Sequence, residues 1–304
     1  VKQTQQWLAL HQAYSPSRTD EDCAATYDKS FAAVTGKISA SIVHVIGLGC
    51  GGGQKDTRLL SLLKAQGKEI LYTPSDVSAS MVLVARQAAL AAVSEQNCFP
   101  LVCDLASAGD LRSVFEENNL GTATCRPSQN AARLVTFFGM IPNFEPEMIL
   151  PKLASLVGPE DFLLFSANLA PGHDYAAGVK HILPLYDNAL TRDWLLTFLL
   201  DLGVERADGE LRFAIEDASH GLKRIVARFH FFRTREIQIE NDRFSFRAGE
   251  SVRLFFSYRH TPELVRRLLL QQGLNVADEW ITKSKEEGVF LCQRKTAVAL
   301  RKGR

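Results

Sequence analysis

Two hydrophobic periods take turns along the first half of the chain. Short apolar runs at Ile42–Ile46, Glu69–Pro74, Phe99–Cys103, Arg133–Phe138 and Asp161–Ala167 predict strands. Amphipathic stretches between them predict helices at Thr57–Lys64, Ala79–Ser94, Ala108–Glu116 and Pro146–Leu156. Upstream, the first forty residues read as helix, loop, helix. "SPSRTDED" is the break, and "TDEDCAATYDKSFAAVTGK" reads as an acid-capped helix ending at Gly36. Such alternation predicts a parallel sheet with helices on both faces.

The pattern changes after Pro171. "YAAGVKHILPLYDNALTRDWLLTFLLDLGV" is mostly helical, and "RIVARFHFFRTREIQIENDRFSFRAGESVRLFFSYR" reads as strands joined by tight turns at "NDR" and "RAGE". The last segment, "TPELVRRLLLQQGLNVADEWITKSKEEGVFLCQRK", gives a helix, a strand, a charged turn and a final strand. That final pair can return to the sheet as an antiparallel edge.

Composition narrows the class. The chain has 304 residues, 46 % hydrophobic and 23 % charged, ordinary for a globular protein able to bury a sizeable core. A net charge of +1 gives no footprint for nucleic acid. No apolar run approaches the roughly 18 to 20 residues needed to span a bilayer, and the first residues lack the apolar core of a signal peptide. The cysteines Cys23, Cys50, Cys98, Cys103, Cys125 and Cys292 are scattered without a CxxC pair, which suits reduced thiols in the cytoplasm. The seven histidines show no paired spacing, so no metal site is expected. His44, on the strand before the glycines, reads as a packed core histidine.

The candidate chemistry lies in "IVHVIGLGCGGGQKDTRLLSLL". Gly47, Gly49 and Gly52 fit GxGxxG, with Gly51 and Lys55 in the same loop, after a strand and before a helix. A phosphate-binding P-loop would end in GK[ST], and this loop runs "GGGQKDT". A dinucleotide site would need an acid at the end of the next strand, and Asp76 in "LYTPSDVSAS" supplies one. S-adenosylmethionine (SAM) uses the same loop against its methionine moiety and ribose. Asp104 in "FPLVCDLAS" stands where it could accept from an adenine amino group, which favours SAM. The competing reading makes Asp76 and Asp104 simple helix caps. Ligands of open α/β sheets bind at this carboxyl edge of the strands.

"GLGCGGGQKDTRLL", "YTPSDVSAS", "FFGMIPNFEP", "LYDN" and "AGESVRLFFSYR" together resemble, in that order, the histidine-specific methyltransferase family, whose best-known member trimethylates the α-amine of histidine. The resemblance implies a class I methyltransferase, Rossmann-like doubly wound sheet with a second α+β substrate-binding domain. It places the SAM-binding core at residues 21–171 plus 259–304 and the substrate domain at 1–20 plus 172–258. It matches Tyr14 to a substrate tyrosine and Asn143 to the asparagine that binds the amino acid's amine and carboxylate. These two are the catalytic candidates. It matches Tyr186 to a carboxylate-holding tyrosine and Ser257 to a serine that reaches the imidazole. Gly47, Gly49, Gly51, Lys55, Asp76 and Asp104 are the expected cofactor contacts.

Three departures from the family pattern alter the expected substrate. The loop usually opens with an acid, and here Gly47 holds that place in a loop one residue longer. Phe255 replaces the glutamate that grips the imidazole, and Ala227 replaces a pocket methionine. A phenyl ring cannot accept an imidazole N–H bond. The expected activity is therefore methyl transfer to a free amino acid with an apolar side chain, on its α-amine or on a methionine thioether. Histidine Nα-methylation, a dinucleotide-dependent reductase and a SAM-binding protein without turnover are the alternatives. Asn143 has a second reading as the cap of the helix at Pro146. Of Phe255 and Phe256, strand alternation turns one inward and one outward.

Overall fold

The computed structural model describes residues 5–6, 9–10, 13, 19–120 and 131–295. Tyr14 and Cys125 lie outside the described residues. The chain divides into two compact units. A core unit takes its residues from 26–167, 262–281 and 287–304, and a companion unit from 1–25, 168–261 and 282–286.

The core unit is built on a seven-stranded sheet. Its strands are β1 (Ile42–Leu48), β2 (Glu69–Asp76), β3 (Leu101–Val102), β4 (Ala132–Phe137), β5 (Phe162–Asn168), β11 (Leu274–Ile281) and β12 (Glu287–Arg294), in the order β11-β12-β5-β4-β1-β2-β3. β1 pairs in parallel with β2 and β4, β2 with β3, and β4 with β5, while β11 and β12 are antiparallel to each other. Nearly every residue of β1, β4 and β5 is buried, as a parallel sheet covered on both faces requires. The closing strand pair does return to the sheet, with β12 beside β5 and β11 at the edge.

The helices follow the predicted alternation with shifted ends. They are α1 (Glu21–Lys37), α2 (Gln54–Ala65), α3 (Ala79–Ala89), α4 (Leu111–Leu120), α5 (Pro146–Leu156) and, late in the chain, α8 (Pro262–Gln271). On α1, Tyr27, Phe31 and Val34 recur at helical spacing and are fully buried. Tyr27 and Phe31 each pack on Phe138 with ring centroids 5.6 Å apart.

Several boundaries differ from expectation. The Phe99–Cys103 run shrinks to the two residues of β3. Phe99 N–H still donates to Tyr72 O and Cys103 N–H to Asp76 O, and by alternation the nitrogen of Pro100 faces the open edge of the sheet, where a proline is tolerated. α3 stops at Ala89 instead of Ser94, because Ala92 and Val93 turn their N–H groups back onto Ala89 O. α4 starts at Leu111 rather than Ala108, since Asp110 caps it by accepting from the N–H groups of Arg112 and Ser113.

The companion unit contains α6 (Tyr175–Tyr186) and α7 (Ala189–Asp201), capped by Asp174 and Asn188. It also contains a three-stranded antiparallel sheet of order β10-β7-β6 and a two-stranded sheet, β8-β9. The strands are β6 (Gly209–Asp217), β7 (Lys223–Phe231), β8 (Arg235–Ile239), β9 (Asp242–Phe246) and β10 (Ser251–Arg259). Among the described residues no helix is long and apolar enough to cross a membrane, and Cys23, Cys50, Cys98, Cys103 and Cys292 carry free thiols.

Candidate functional site

In the core unit, the strand order reverses direction at β1, whose two neighbours β2 and β4 lead their chains to opposite sides. The crevice outside the carboxyl ends of strands at such a switch point is where doubly wound sheets hold ligands. The glycine loop lies there. A side chain at Gly47 is excluded, because its Cβ would overlap Asp56 Oδ2 and stand 3.3 Å from the Tyr72 hydroxyl. Asp56, in the first turn of α2, is buried and accepts from Tyr72 Oη and Thr136 Oγ1, both at 2.8 Å. Burial pushes its carboxyl pKa up, against the pull of these two hydrogen bonds. Gly53 caps α2 in the left-handed region (φ 70°), and a Cβ there would come within 2.8 Å of Ala85 on α3.

Backbone hydrogen bonds tie this loop to β2. Cys50 N–H donates to Ser75 O at 2.9 Å. Gly51 N–H donates to Asp76 Oδ2 at 3.0 Å, and Ser78 N–H to Asp76 Oδ1 at 2.9 Å. Asp76 is not a helix cap, since Ser78 caps α3. Neither is Asp104, which is exposed and accepts from Ala106 N–H at 2.9 Å. That bond and the Ser107 hydroxyl lower its pKa. Lys152 on α5 holds the Asp104 loop by donating to the carbonyls of Leu105, Ala106 and Ala108 at 2.9, 3.0 and 2.6 Å. Val77 and Val102 stand exposed beside these acids, with Asp76 and Val102 paired in register. Bared loop backbone, two strand-end acids and two exposed apolar side chains fit a ligand with a polar ribose and a flat apolar ring.

Lys55 has another engagement. Its ammonium donates to Tyr27 Oη at 2.8 Å and lies 4.2 Å from the centre of the Tyr27 ring, while Tyr27 Oη donates to Glu287. His44 is buried and meets Thr73 Oγ1 at 2.9 Å, and burial lowers its pKa to about 4. Asn143 ends a short 3-10 turn (Ile141–Asn143) and is exposed. It does not cap α5, because Glu145 takes the cap position.

In the companion unit, alternate residues of β10 converge on the last residue of α6. The Phe255 ring lies 5.8 Å from that of Tyr186, Ser257 Oγ is 3.0 Å from Tyr186 Oη, and Arg259 Nη2 donates to Tyr186 Oη at 2.7 Å. Trp194 of α7 meets Phe255 edge-on at 6.1 Å. Ala227 is Phe255's cross-strand partner and is fully buried. Phe256 turns to the opposite face, 4.8 Å from the Arg253 guanidinium. The Tyr175 hydroxyl pins the end of β10, donating to Arg259 O at 2.6 Å and accepting from Lys223 N–H at 2.8 Å.

Tyr186, Ala227, Phe255 and Ser257 thus share one cluster, and the glycine loop and Asp76 share another. Arg259, Trp194 and Asp56 were not singled out from sequence. Arg259 had a signal, since period two puts it on the strand face of Phe255 and Ser257. Trp194 comes from a separate helix and had none.

A sheet of this order, with a glycine loop after β1 and acids after β2 and β3, defines the class I SAM-dependent methyltransferase fold. A match to the family described as histidine-specific methyltransferase, SAM-dependent, runs over residues 5–294, and the chain belongs to that family. The enzyme is a SAM-dependent methyltransferase, and the dinucleotide reading of its loop falls away. An N-methyltransferase of Aspergillus flavus, imqF, is 25 % identical over 286 residues, covering 91 % of this chain and 73 % of that protein. Two solved methyltransferases are similar at lower identity. The magnesium protoporphyrin IX methyltransferase of Synechocystis PCC 6803 is 15 % identical, covering 97 % of this chain and 95 % of its own, with a TM-score of 0.47. The CcbJ methyltransferase of Streptomyces caelestis is 13 % identical, covering 88 % and 95 %, with a TM-score of 0.44.

Proposed function

We propose that the protein methylates a free amino acid with an apolar side chain, on its α-amine or on a methionine thioether. One observation carries the side-chain preference. Phe255 packs with Tyr186 and Trp194 over Ala227, so this wall is aromatic where an imidazole would need an acceptor. An imidazole N–H left unpaired there carries a desolvation penalty of about 1–3 kcal/mol. An apolar side chain instead gains about 25 cal/mol per Å² removed from water. The name of the Aspergillus relative favours nitrogen as the acceptor atom.

In this reading the core unit holds SAM, and the companion unit is the substrate domain. Gly47, Gly49 and Gly51 bare the loop backbone, Asp76 takes the ribose hydroxyls, and Asp104 takes the adenine amine between Val77 and Val102. SAM supplies a methyl group already activated by its sulfonium. The protein's own task is to orient a neutral nucleophile, a contribution worth several kcal/mol. Asn143, exposed and with no side-chain hydrogen bond among the described residues, is the core unit's candidate for the amino end of the substrate. Tyr186 is the companion unit's candidate for the carboxylate. Tyr14 keeps its proposed substrate role from the family resemblance. Lys55 shifts from cofactor contact to support of the loop, through Tyr27.

The test is product mass spectrometry on a mixture of the twenty amino acids with SAM. Methylation of leucine-sized, methionine or aromatic members ahead of histidine supports the reading. Preferential methylation of histidine overturns it and restores the family's named activity.

A further inference from the structure

The companion unit buries a cation without a counter-ion. Arg259 is only 7 % exposed, and no carboxylate among the described residues pairs with it. Its Nη1 donates to Leu169 O at 3.2 Å and its Nη2 to Tyr186 Oη at 2.7 Å. Its Nε has no partner. A guanidinium cannot shed its proton to escape burial, and a buried charge is ordinarily paired.

The hydroxyls in front of it sharpen the point. Tyr186 Oη already accepts from Arg259, and it lies 3.0 Å from Ser257 Oγ. Two hydroxyl protons serve this pair, and their mutual hydrogen bond uses one. If Tyr186 donates to Ser257, the Ser257 proton is left over. If Ser257 donates, the Tyr186 proton is left over. In both arrangements one O–H donor remains beside the buried cation, on the half-exposed Tyr186 in one and on the buried Ser257 in the other. A donor reinforced by positive charge is the complement of an anion, and charge-assisted bonds of this kind are the strong ones.

We propose that Arg259 is the positioning residue for the substrate's carboxylate, acting through the Tyr186 and Ser257 hydroxyls, so that the enzyme requires an acceptor with a free carboxylate and discriminates against the amide. This rests on the amino-acid reading above. It adds a role for Arg259 and reassigns Ser257 from the side-chain pocket to the anion relay. The Phe255 ring, two residues earlier on the same strand face, then marks where the side chain begins.

The experiment compares two probes, a pool of the twenty amino acids and the same pool as α-carboxamides. Wild type, R259K and R259Q are assayed by product mass spectrometry, with SAM affinity by calorimetry as the check on folding. Wild type methylates the acid pool and discriminates against the amides. R259Q, with unchanged SAM affinity, loses about 100-fold in kcat/KM on the acid pool, mainly through KM, and R259K recovers part of it. On the amide pool the three proteins are alike. Equal losses on both pools, or no loss in R259Q on the acid pool, overturn the proposal while leaving the amino-acid reading intact. If R259Q binds SAM poorly, R259K carries the comparison alone, and a larger loss on the acid pool than on the amide pool is the expected result, while equal losses overturn the proposal. Methylation of neither pool by wild type overturns the amino-acid reading and the role of Arg259 with it.

Discussion

Gly47 and Asp56 are complementary in space. The carboxylate of Asp56, brought back from the first turn of α2, occupies the volume that any side chain at Gly47 would need. The loop resemblance put an acid at position 47. Here the strand supplies no side chain and the helix one residue beyond Lys55 supplies the carboxylate. Gly47→Ala should therefore cost stability and SAM affinity together, by about 1–3 kcal/mol as an overpacked site does. Combining it with Asp56→Ala should relieve the overlap but leave the Tyr72 hydroxyl without its acceptor. A double-mutant cycle by chemical denaturation should show coupling between the two positions, and simple additivity would count against this relationship.

Asp76 and Asp104 are tested by calorimetry with SAM. Asp76→Ala should weaken binding by about 1–3 kcal/mol, since a buried or ligand-facing acceptor is lost. Lys152→Met should produce a smaller loss by freeing the three carbonyls that fix the Asp104 loop. Unchanged affinity in both variants would remove the strand-end acids from the cofactor site.

Phe255 is tested by specificity. Phe255→Glu should turn the preference toward histidine, because the new carboxylate offers an imidazole acceptor. A tenfold change in the histidine-to-leucine ratio of kcat/KM corresponds to about 1.4 kcal/mol. A variant equally poor on every amino acid would indicate that Phe255 serves packing alone.

The acceptor atom can be separated by pH. An α-amine must lose its proton before attack, so kcat/KM should rise with pH until the amine is neutral. A thioether carries no proton and should give a flat profile across the same range. Asn143→Ala should lower kcat/KM at least tenfold on the amino acid while SAM binding holds, an effect of about 1.4 kcal/mol. Activity within twofold would leave Asn143 without a substrate role.

Acid should unfold the protein in two stages. Burial holds His44 and His260 neutral with pKa values of about 4, below the ordinary histidine value of 6.5. Their folded pKa values are depressed, so the unfolded chain binds more protons, and stability falls as pH drops from about 6.5 toward 4. In the companion unit, burial alone would raise the Asp208 pKa. Hydrogen bonds from Arg235, Glu205 N–H and Arg233 instead hold it at about 2, against 3.8. Its contribution is complete above pH 3.8 and is lost as pH falls toward 2. Asp208→Asn should flatten the second stage only, read from denaturant midpoints across pH.

Much of the architecture was legible because β1, β2, β4 and β5 are strands buried over most of their length, which print as apolar runs bounded by turn residues. Their ends were less so. β3 reads as a five-residue strand and keeps regular pairing only at Leu101 and Val102, and the end of α3 depends on where Ala89 O is taken up. In the candidate site, the acids at strand ends could be placed by counting, but their partners could not. Lys55 could be placed beside the loop, but its bond to Tyr27, on a helix 28 residues earlier in the chain, could not. The competing reading of Asn143 as a cap is removed by Glu145, which holds that position. Trp194 joins the Phe255 wall only through the folding of α7 onto the sheet of β10, which no local pattern records.

The two edges of the seven-stranded sheet are each closed to further strands. At one edge β3 is two residues long and follows a proline, offering almost no row of donors to a stranger. At the other, β11 is bent by a register shift between Val276 and Asp278, and its Asp278 and Glu279 are held by Lys37 and Arg266. Short, kinked and charged edges resist templating by another chain. A change that regularised them, such as Pro100→Val, would lengthen a strand with Val102 already exposed beside it. The consequence would be felt in the concentration at which the enzyme stays dispersed rather than in its chemistry.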